Sequence, residues 1–141
     1  MLFRSVVDAL LRDLPGQVEH IPRLSPAEVA AAFDRATLLV LPSWPEGLGR
    51  VVIEAFARGR GVVATAAGGI LDLVHDGVEG ILVPRADEDA LVSAVVRVLS
   101  DPELALRLGA AAHKSYGGWH STPEQFARQL RELVDEVMGR P

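Results

Sequence analysis

Short apolar segments alternate along the chain with stretches in which apolar residues recur every three or four positions. The short segments are strand candidates, and they are Val18 to Ile21, Leu38 to Leu41, Val62 to Thr65 and Ile81 to Val83. The spacing in the stretches between them is typical of amphipathic helices. Buried strands that alternate with helices indicate a parallel sheet covered on both faces. The pattern therefore predicts an α/β fold with about four parallel strands.

The helical stretches have recognisable starts and stops. Ser25-Pro26-Ala27-Glu28 and Thr122-Pro123-Glu124-Gln125 both match a capping box with proline at the first helical position. Pro15-Gly16 ends one helical pattern, and the segment from Ser115 to Ser121 interrupts another. Helices are therefore predicted over residues 2–14, 26–36, from about 49, 70–75 as a short turn, 87–99, 102–114 and from 123 onward. The helix over 87–99 is expected to bury Leu91, Val95, Val98 and Leu99.

Composition and charge narrow the class of protein. The chain has 141 residues, of which 49% are apolar and 23% charged, so residues 1–141 are predicted to form one domain. A net charge of −5, with Lys114 as the single lysine, argues against a nucleic-acid partner. No apolar run approaches the roughly 20 residues that cross a bilayer. Charges between Arg4 and Asp13 argue against a secretory signal. Because the chain has no cysteine, we expect a cytoplasmic location.

The most informative stretch runs from Leu38 to Gly69 and reads as strand, loop, helix, strand and loop. Gly47 and Gly49 permit positive φ and a close approach of the backbone to a ligand. The helix that begins near Gly49 points unpaired N–H groups and the positive end of its dipole towards the same loop. The stretch therefore predicts an anion or phosphate site at the carboxyl edge of the sheet.

Two glutamates flank this predicted site. Glu46 lies in the loop, where a carboxylate can accept hydrogen bonds from sugar hydroxyls, and Glu54 lies one turn into the helix, where it could bind a ribose. Their alternative interpretation is structural, because Glu54 stands four residues from both Arg50 and Arg58 and could form an ion pair. Glu46 could equally be an exposed turn residue. A dinucleotide fingerprint is excluded by a valine where the third glycine should stand, and a P-loop lysine is lacking.

Several segments together resemble a known family. They are Pro42-Ser43, Glu46-Gly47-Leu48-Gly49, Glu54-Ala55, Gly59, Val62-Val63-Ala64-Thr65, Gly68-Gly69 and the run from Asp76 to Pro84. This combination resembles the donor-binding half of GT-B glycosyltransferases, and in detail the retaining family 4 (glycosyltransferase group 1) with its E-x7-E signature. The similarity covers roughly residues 18 to 115. It implies a Rossmann-like sheet that forms the C-terminal half of a GT-B fold.

The resemblance also implies a function for individual residues. The substrate would be a nucleotide-sugar (an NDP-sugar) from which a hexose is transferred, with no cofactor and no metal bound by the protein. Glu46 would contact the transferred sugar as the catalytic residue, and Glu54 would bind the ribose. The further donor-binding residues implied are the loop and helix start Gly47, Leu48, Gly49, Arg50 and Val51, the base-side segment Arg23, Leu24 and Ser25, and the close-approach glycines Gly68 and Gly69.

The sequence departs from the family pattern in ways that bear on activity. Leu48 stands where phenylalanine is common, Gly61 where proline is common and Glu79 where asparagine is frequent. Family members carry an arginine and a lysine for the pyrophosphate on a glycine-rich strand-loop near the start of this domain, and we expect that segment to be missing here. Arg50 is the candidate to supply that charge here. We therefore expect a domain truncated at its N-terminal edge, with little or no transferase activity by itself.

The remaining expectations concern partners and single residues. Residues 122–141 are expected to form a helix that docks on a missing N-terminal acceptor domain, through which the protein could be peripheral at the inner membrane face. The alternatives are a stand-alone nucleotide-sugar-binding or partner module without catalysis, and a non-catalytic α/β interaction domain. The four histidines are interpreted as structural or surface residues. Asp72 is expected to cap a short helix, and Trp44 is expected to pack against the loop. Trp119 and Phe126 are expected to dock the last helices.

Overall fold

A computed structural model of the chain describes residues 8–9, 11–43 and 45–139. The chain divides into two compact units, Met1–Ala31 and Ala32–Pro141, and each is described by itself. The helices and strands with assigned bounds are α1 (Pro26–Arg35), β1 (Leu38–Leu41), α2 (Arg50–Ala57), β2 (Gly61–Thr65), α3 (Ile70–Leu73), β3 (Gly80–Val83), α4 (Glu88–Leu99), α5 (Pro102–Tyr116) and α6 (Pro123–Val137).

The first unit confirms part of the predicted helix over residues 2–14. Positions 8, 9 and 11–13 are helical, while positions 2–7 and 10 lie outside the described residues. A turn follows in which the N–H of Gln17 donates to the Leu14 carbonyl oxygen at 3.2 Å. The strand predicted over Val18 to Ile21 is wrong, since these residues have no strand conformation. Its two central residues are polar and exposed, so the segment offers no apolar row to bury.

The capping boxes read from the sequence are both formed. Ser25 donates from its N–H and its hydroxyl to Glu28 Oε2, at 2.7 and 2.6 Å, at the start of α1. At the start of α6, Thr122 Oγ1 accepts from the N–H of Gln125 and the Gln125 side chain accepts from the N–H of Thr122. Such reciprocal bonds satisfy backbone donors that a helix start leaves unpaired.

The sheet lies in the second unit and has three parallel strands in the order β1-β2-β3 among the described residues. Leu38 pairs with Gly61 across β1 and β2, and Val62 pairs with Gly80 across β2 and β3. All five residues of β2 are buried, so both faces of the central strand are covered. The α/β fold with a parallel sheet and flanking helices is confirmed, with three strands in place of the four expected.

One face of the sheet packs on α4 and α5. The buried residues there are Val63, Val83, Ala94, Val98, Leu104 and Leu108. Leu91 and Val95 pack against this cluster as the sequence predicts, but Leu99 is 56% exposed and its predicted burial is wrong. The burial stripe of α4 passes through Ala94 and Val98, which places Leu99 beside the stripe.

The last helix, α6, buries none of its residues in the described structure. Its apolar face, formed by Phe126, Leu130, Leu133 and Val137, is exposed to between 49% and 77%. An exposed apolar face is what the sequence predicts for this helix. The expected docking of Trp119 and Phe126 is wrong, because these side chains are 42% and 61% exposed.

Candidate functional site

Three loops leave the carboxyl edge of the sheet. Residues 42–49 follow β1, residues 66–69 follow β2 and residues 84–87 follow β3. Because the three strands are parallel, their carboxyl ends meet at one edge, where ligands bind in open α/β sheets. The structure thus places the loop with Glu46 and the loop with Gly68 at the same edge.

The first two loops are in direct backbone contact. The N–H of Gly69 donates to the Gly47 carbonyl oxygen at 2.8 Å. A Cβ atom added to Gly69 would collide with that same oxygen, and one added to Gly68 would collide with the carbonyl oxygen of Glu46. Gly68 also has a φ of 52°, which disfavours larger residues. These glycines therefore have a role that the sequence did not reveal, since they allow one loop to lie against the other.

The start of α2 has the open geometry that the sequence predicts. Gly49 precedes the helix with φ 66° and ψ 50°, and no side chain caps the helix start. A Cβ atom on Gly49 would come within 2.5 Å of Ile70 Cδ1, so the backbone can pack closely only with glycine there. The amides of Arg50 and Val51 donate to no residue in the described parts of the chain. Unpaired amides at a helix start, with no acidic residue in the first turn, can bind an anion.

Glu46 is half-buried in this loop. Its Oε1 accepts a hydrogen bond from the N–H of Gly47 at 3.1 Å, which orients the carboxylate at the loop. Across residues 8–9, 11–43 and 45–139 no basic side chain forms a salt bridge with it. No described residue donates a hydrogen bond to the second carboxylate oxygen, Oε2. Leu48 and Arg50, which follow in the sequence, are both exposed.

Glu54 is an exposed residue one turn into α2, and its predicted ion-pair alternative is not formed. Arg58 instead donates from Nε to Asp34 Oδ1 at 2.8 Å and makes a second bond to that carboxylate through Nη2. Arg50 makes no salt bridge with Glu54 in the described part of the chain. The interpretation of Glu54 as an ion-pair partner of these arginines is therefore wrong in this structure.

The sequence also makes predictions for residues around the site, namely Asp72, Trp44 and residues 23–25, and only the one for Asp72 can be compared with the structure. The sequence predicts that Asp72 caps the short helix α3, but the residue at the cap position is Gly69 and no side chain makes a capping bond. That prediction is wrong because Asp72 stands within the first turn instead of before it. Trp44 lies outside the described residues. Arg23, Leu24 and Ser25 belong to the first unit, and their place beside a nucleotide base stays a prediction.

A buried carboxylate that sequence reasoning did not assign lies at the opposite, amino edge of the sheet. Glu79 is 4% exposed and accepts from Ser115 Oγ at 2.7 Å and from the N–H of His75 at 2.9 Å. Burial acts to raise the pKa of Glu79, but the hydrogen bonds from Ser115 and His75 outweigh it and hold that pKa below its ordinary value. The clue in the sequence was a glutamate where the family pattern has asparagine. Its role is to join α5 to the turn before β3.

The described residues contain neither a cluster of metal ligands nor a membrane-spanning helix. No group of three or more histidine, cysteine, aspartate or glutamate side chains able to hold a metal ion occurs among the described residues. Nδ1 of His75 lies 3.2 Å from Glu79, and the His120 ring packs at a tilt against the Tyr116 ring with 5.2 Å between ring centres. In the described chain no helix combines the length and the apolar character that crossing a bilayer requires.

The sequence profile of the glycosyl transferases group 1 family matches residues 5–115, which is most of the chain. The chain belongs to this family. It is 35% identical over 127 residues to D-inositol 3-phosphate glycosyltransferase 1 of Catenulispora acidiphila, covering 89% of this chain and 30% of the relative. It is 43% identical over 112 residues to D-inositol 3-phosphate glycosyltransferase of Streptomyces griseus, covering 78% and 24%. The group 1 chain thus spans less than a third of the length of these two relatives.

Solved structures agree on the fold of this group 1 domain. Sucrose-phosphate synthase from Thermosynechococcus elongatus superposes with a TM-score of 0.83 at 30% identity, over 98% of this chain and 35% of that one. Anabaena HepE, solved in complex with UDP, gives 0.76 at 22% identity, over 97% and 36%. The C-terminal domain of LpcC from Francisella tularensis gives 0.71 at 20% identity, over 84% and 62%. The last two likenesses concern the fold alone.

Proposed function

We propose that this domain binds the nucleotide-sugar donor of a retaining glycosyltransferase that transfers a hexose to an acceptor. The observation that carries the proposal is the contact between Gly69 and Gly47, which holds the Glu46 loop in front of the uncapped start of α2. This contact keeps the proposed sugar-binding carboxylate of Glu46 close to the proposed anion-binding start of α2. Membership of the group 1 family supports this use of the site.

In the proposed complex the diphosphate lies at the start of α2. The amides of Arg50 and Val51 have no acceptor among the described residues, so a phosphate oxygen can take them. Gly47 is exposed and keeps the loop backbone accessible, while the buried Gly49 supplies the positive φ from which the helix starts. The exposed Arg50 adds positive charge at the first helical position. Stabilisation of the negative charge that develops on the leaving diphosphate is a large part of the catalysis of glycosyl transfer from such donors.

The two glutamates take different parts of the donor. Glu46, held by the Gly47 amide, accepts hydrogen bonds from hydroxyls of the transferred sugar beside the reacting carbon. Glu54 stands further along α2 and binds the two ribose hydroxyls. An exposed carboxylate with neither flanking arginine bound to it suits that role. Arg23, Leu24 and Ser25 would border the base.

The acceptor site is proposed to lie in a part of the protein beyond these 141 residues, because the chain spans less than a third of the two relatives described above. The exposed apolar face of α6 is proposed to dock on that part. On this basis the 141-residue domain alone should bind donor and show little or no turnover. Normal sugar transfer by this domain alone would contradict the second half of that statement.

Titration calorimetry with UDP, GDP and ADP tests the proposal. UDP comes first because the HepE structure was solved with it. We expect one of the three nucleotides to bind, and Glu54→Ala to weaken that binding at least tenfold. Glu132→Ala, which removes an exposed glutamate from α6, is the matched control and should leave binding unchanged. If no nucleotide or nucleotide-sugar binds, the domain is instead a non-catalytic interaction domain, and the proposal is wrong.

A further inference from the structure

The third loop at the carboxyl edge, residues 84–87, reaches back to the second loop. Arg85 Nε donates a hydrogen bond to the Ala66 carbonyl oxygen at 3.3 Å. The N–H of Ala66 in turn donates to the Val83 carbonyl oxygen at 2.9 Å. Both backbone polar groups of Ala66 are thus held from the β3 side. Ala66 is the first residue after β2, so this is where the second loop leaves the sheet.

The hydrogen bond between the second loop and the Glu46 loop lies only three residues after Ala66, at Gly69. Ala67 is buried at 1% exposure, Gly68 approaches the Glu46 carbonyl, and Gly69 donates to Gly47. A short segment that is fixed at each end has few ways to move. The position of the Glu46 loop therefore depends on where the segment after β2 is held.

The loop that carries Arg85 is itself fixed. Ala86 adopts a φ of 57°, a conformation that costs energy for a residue other than glycine. Immediately after it, Asp87 Oδ1 accepts from the N–H of Ala90 at 2.9 Å and caps α4. Arg85, whose side chain is exposed, therefore stands on a short backbone segment between the end of β3 and a capped helix.

We propose that Arg85 is a positioning residue of the nucleotide-sugar site, acting through Ala66 and the Gly68–Gly69 segment on the Glu46 loop. The inference rests on the proposed function of that site. A direct contact between Arg85 and a ligand phosphate is the competing role. It is disfavoured because Asp87, Glu88 and Asp89 line the same shallow concavity as Arg85 and would repel an anion.

Three substitutions separate these two roles. Arg85→Ala removes the donor and the charge, whereas Arg85→Gln keeps an N–H donor, because Gln Nε2 is bonded to Cδ just as Arg Nε is. Arg107→Ala is the matched control: Arg107 Nη1 donates to the Gly77 carbonyl oxygen at 3.0 Å, an equivalent bond at the opposite edge of the sheet. Two quantities are measured for each variant, the dissociation constant of UDP (or of whichever nucleotide binds) and the hydrogen-exchange rate of the Gly69 amide.

We expect Arg85→Ala to raise the nucleotide dissociation constant about 3- to 10-fold, the effect of losing one hydrogen bond, and to speed exchange at Gly69. Arg85→Gln and Arg107→Ala should both stay near the wild-type values. Unchanged exchange at Gly69 in Arg85→Ala would overturn the proposal. So would equal losses of affinity in Arg85→Ala and Arg85→Gln, because charge would then be the operative property. If the wild-type domain bound no nucleotide, the proposed function would fail, while the exchange rates would still decide whether Arg85 holds the loops.

Discussion

The amide of Gly69 donates a hydrogen bond of 2.8 Å to the carbonyl oxygen of Gly47, and this bond joins two loops that follow neighbouring strands. One loop carries Glu46, and the other leads into α3. Neither loop could approach the other so closely with a side chain at Gly68 or Gly69. The candidate site is therefore built from a pair of loops that hold each other in place.

Gly69→Ala should damage both the fold and the site. The added methyl group would meet the Gly47 carbonyl oxygen well inside van der Waals contact, and backbone on both sides must move. We expect a loss of about 1 to 3 kcal/mol in the free energy of unfolding, as for other overpacked positions. Nucleotide affinity should fall at the same time. Urea unfolding and calorimetry measure the two effects.

The matched control for that substitution is Gly117→Ala. Gly117 has helical backbone angles, φ −56° and ψ −29°, and an added Cβ would meet ordinary contact distances. Its stability should hold or rise slightly, because alanine restricts the unfolded chain. Equal losses at Gly69 and Gly117 would show that the contact between the two loops has no special weight.

Glu79→Gln should lower stability in a pH-dependent way. The two oxygens of the buried carboxylate accept separately from Ser115 and from His75, and the amide of glutamine would turn its NH2 group towards one of these donors, which costs about 1 to 3 kcal/mol. Because the folded pKa of Glu79 lies below its unfolded value, this stabilisation is present above the unfolded pKa. It is lost as the pH falls through the folded pKa.

Urea unfolding of wild type and Glu79→Gln at a series of pH values between 7 and 3 checks this sign. The difference between the two proteins should be constant near neutral pH and should shrink in the acid range. Ser115→Ala should lower stability in the same direction, because it removes one of the donors. A difference that grows towards acid pH would contradict the assignment of Glu79 as a hydrogen-bonded anion.

Glu54→Ala should leave the free energy of unfolding within about 0.5 kcal/mol of wild type. Glu54 is exposed, and Arg58, its i,i+4 neighbour, is bound to Asp34 instead. If Glu54 stabilised the fold, the Glu54→Ala variant would unfold at a clearly lower temperature than wild type. Such a loss would favour the structural interpretation of this residue over ribose binding.

The apolar face of α6 should contribute little to the stability of this domain. Leu130 is 49% exposed, so Leu130→Glu should change the free energy of unfolding by less than about 0.5 kcal/mol. Leu108 on α5 is 1% exposed, and Leu108→Ala should cost about 2 to 5 kcal/mol. Denaturant unfolding compares the two variants directly. A large loss in Leu130→Glu would mean that α6 packs on the domain in solution.

Local signals in the sequence are sufficient to predict most of the helices and strands of the second unit. The strand Gly61–Thr65 is wholly buried and reads as an uninterrupted apolar run, and the capping box at Thr122 sets the start of α6 by itself. The strand prediction over Val18 to Ile21 is wrong because it rests on only two apolar residues, one at each end of the segment. A strand needs a neighbour to pair with, and local sequence does not provide one.

The sequence proposes the residues of the candidate site, but it does not show the contacts that hold them in place. Glu46, Glu54 and the glycine pattern could be read from their spacing and from the family resemblance. The contact between Gly69 and Gly47, the bond from Arg58 to Asp34 and the burial of Glu79 join residues that are distant in sequence. Such contacts follow from the packing of whole elements, which residue spacing does not encode.

Ribose binding by Glu54 can be measured directly. The affinities of UDP and 2′,3′-dideoxy-UDP (or the same pair for whichever base binds) are compared in wild type, Glu54→Ala and the control Glu132→Ala. Wild type and Glu132→Ala should prefer the hydroxylated nucleotide by about tenfold or more, since hydrogen bonds to a charged group are strong. Glu54→Ala should bind both nucleotides equally. A preference that survives in Glu54→Ala would contradict ribose binding by Glu54.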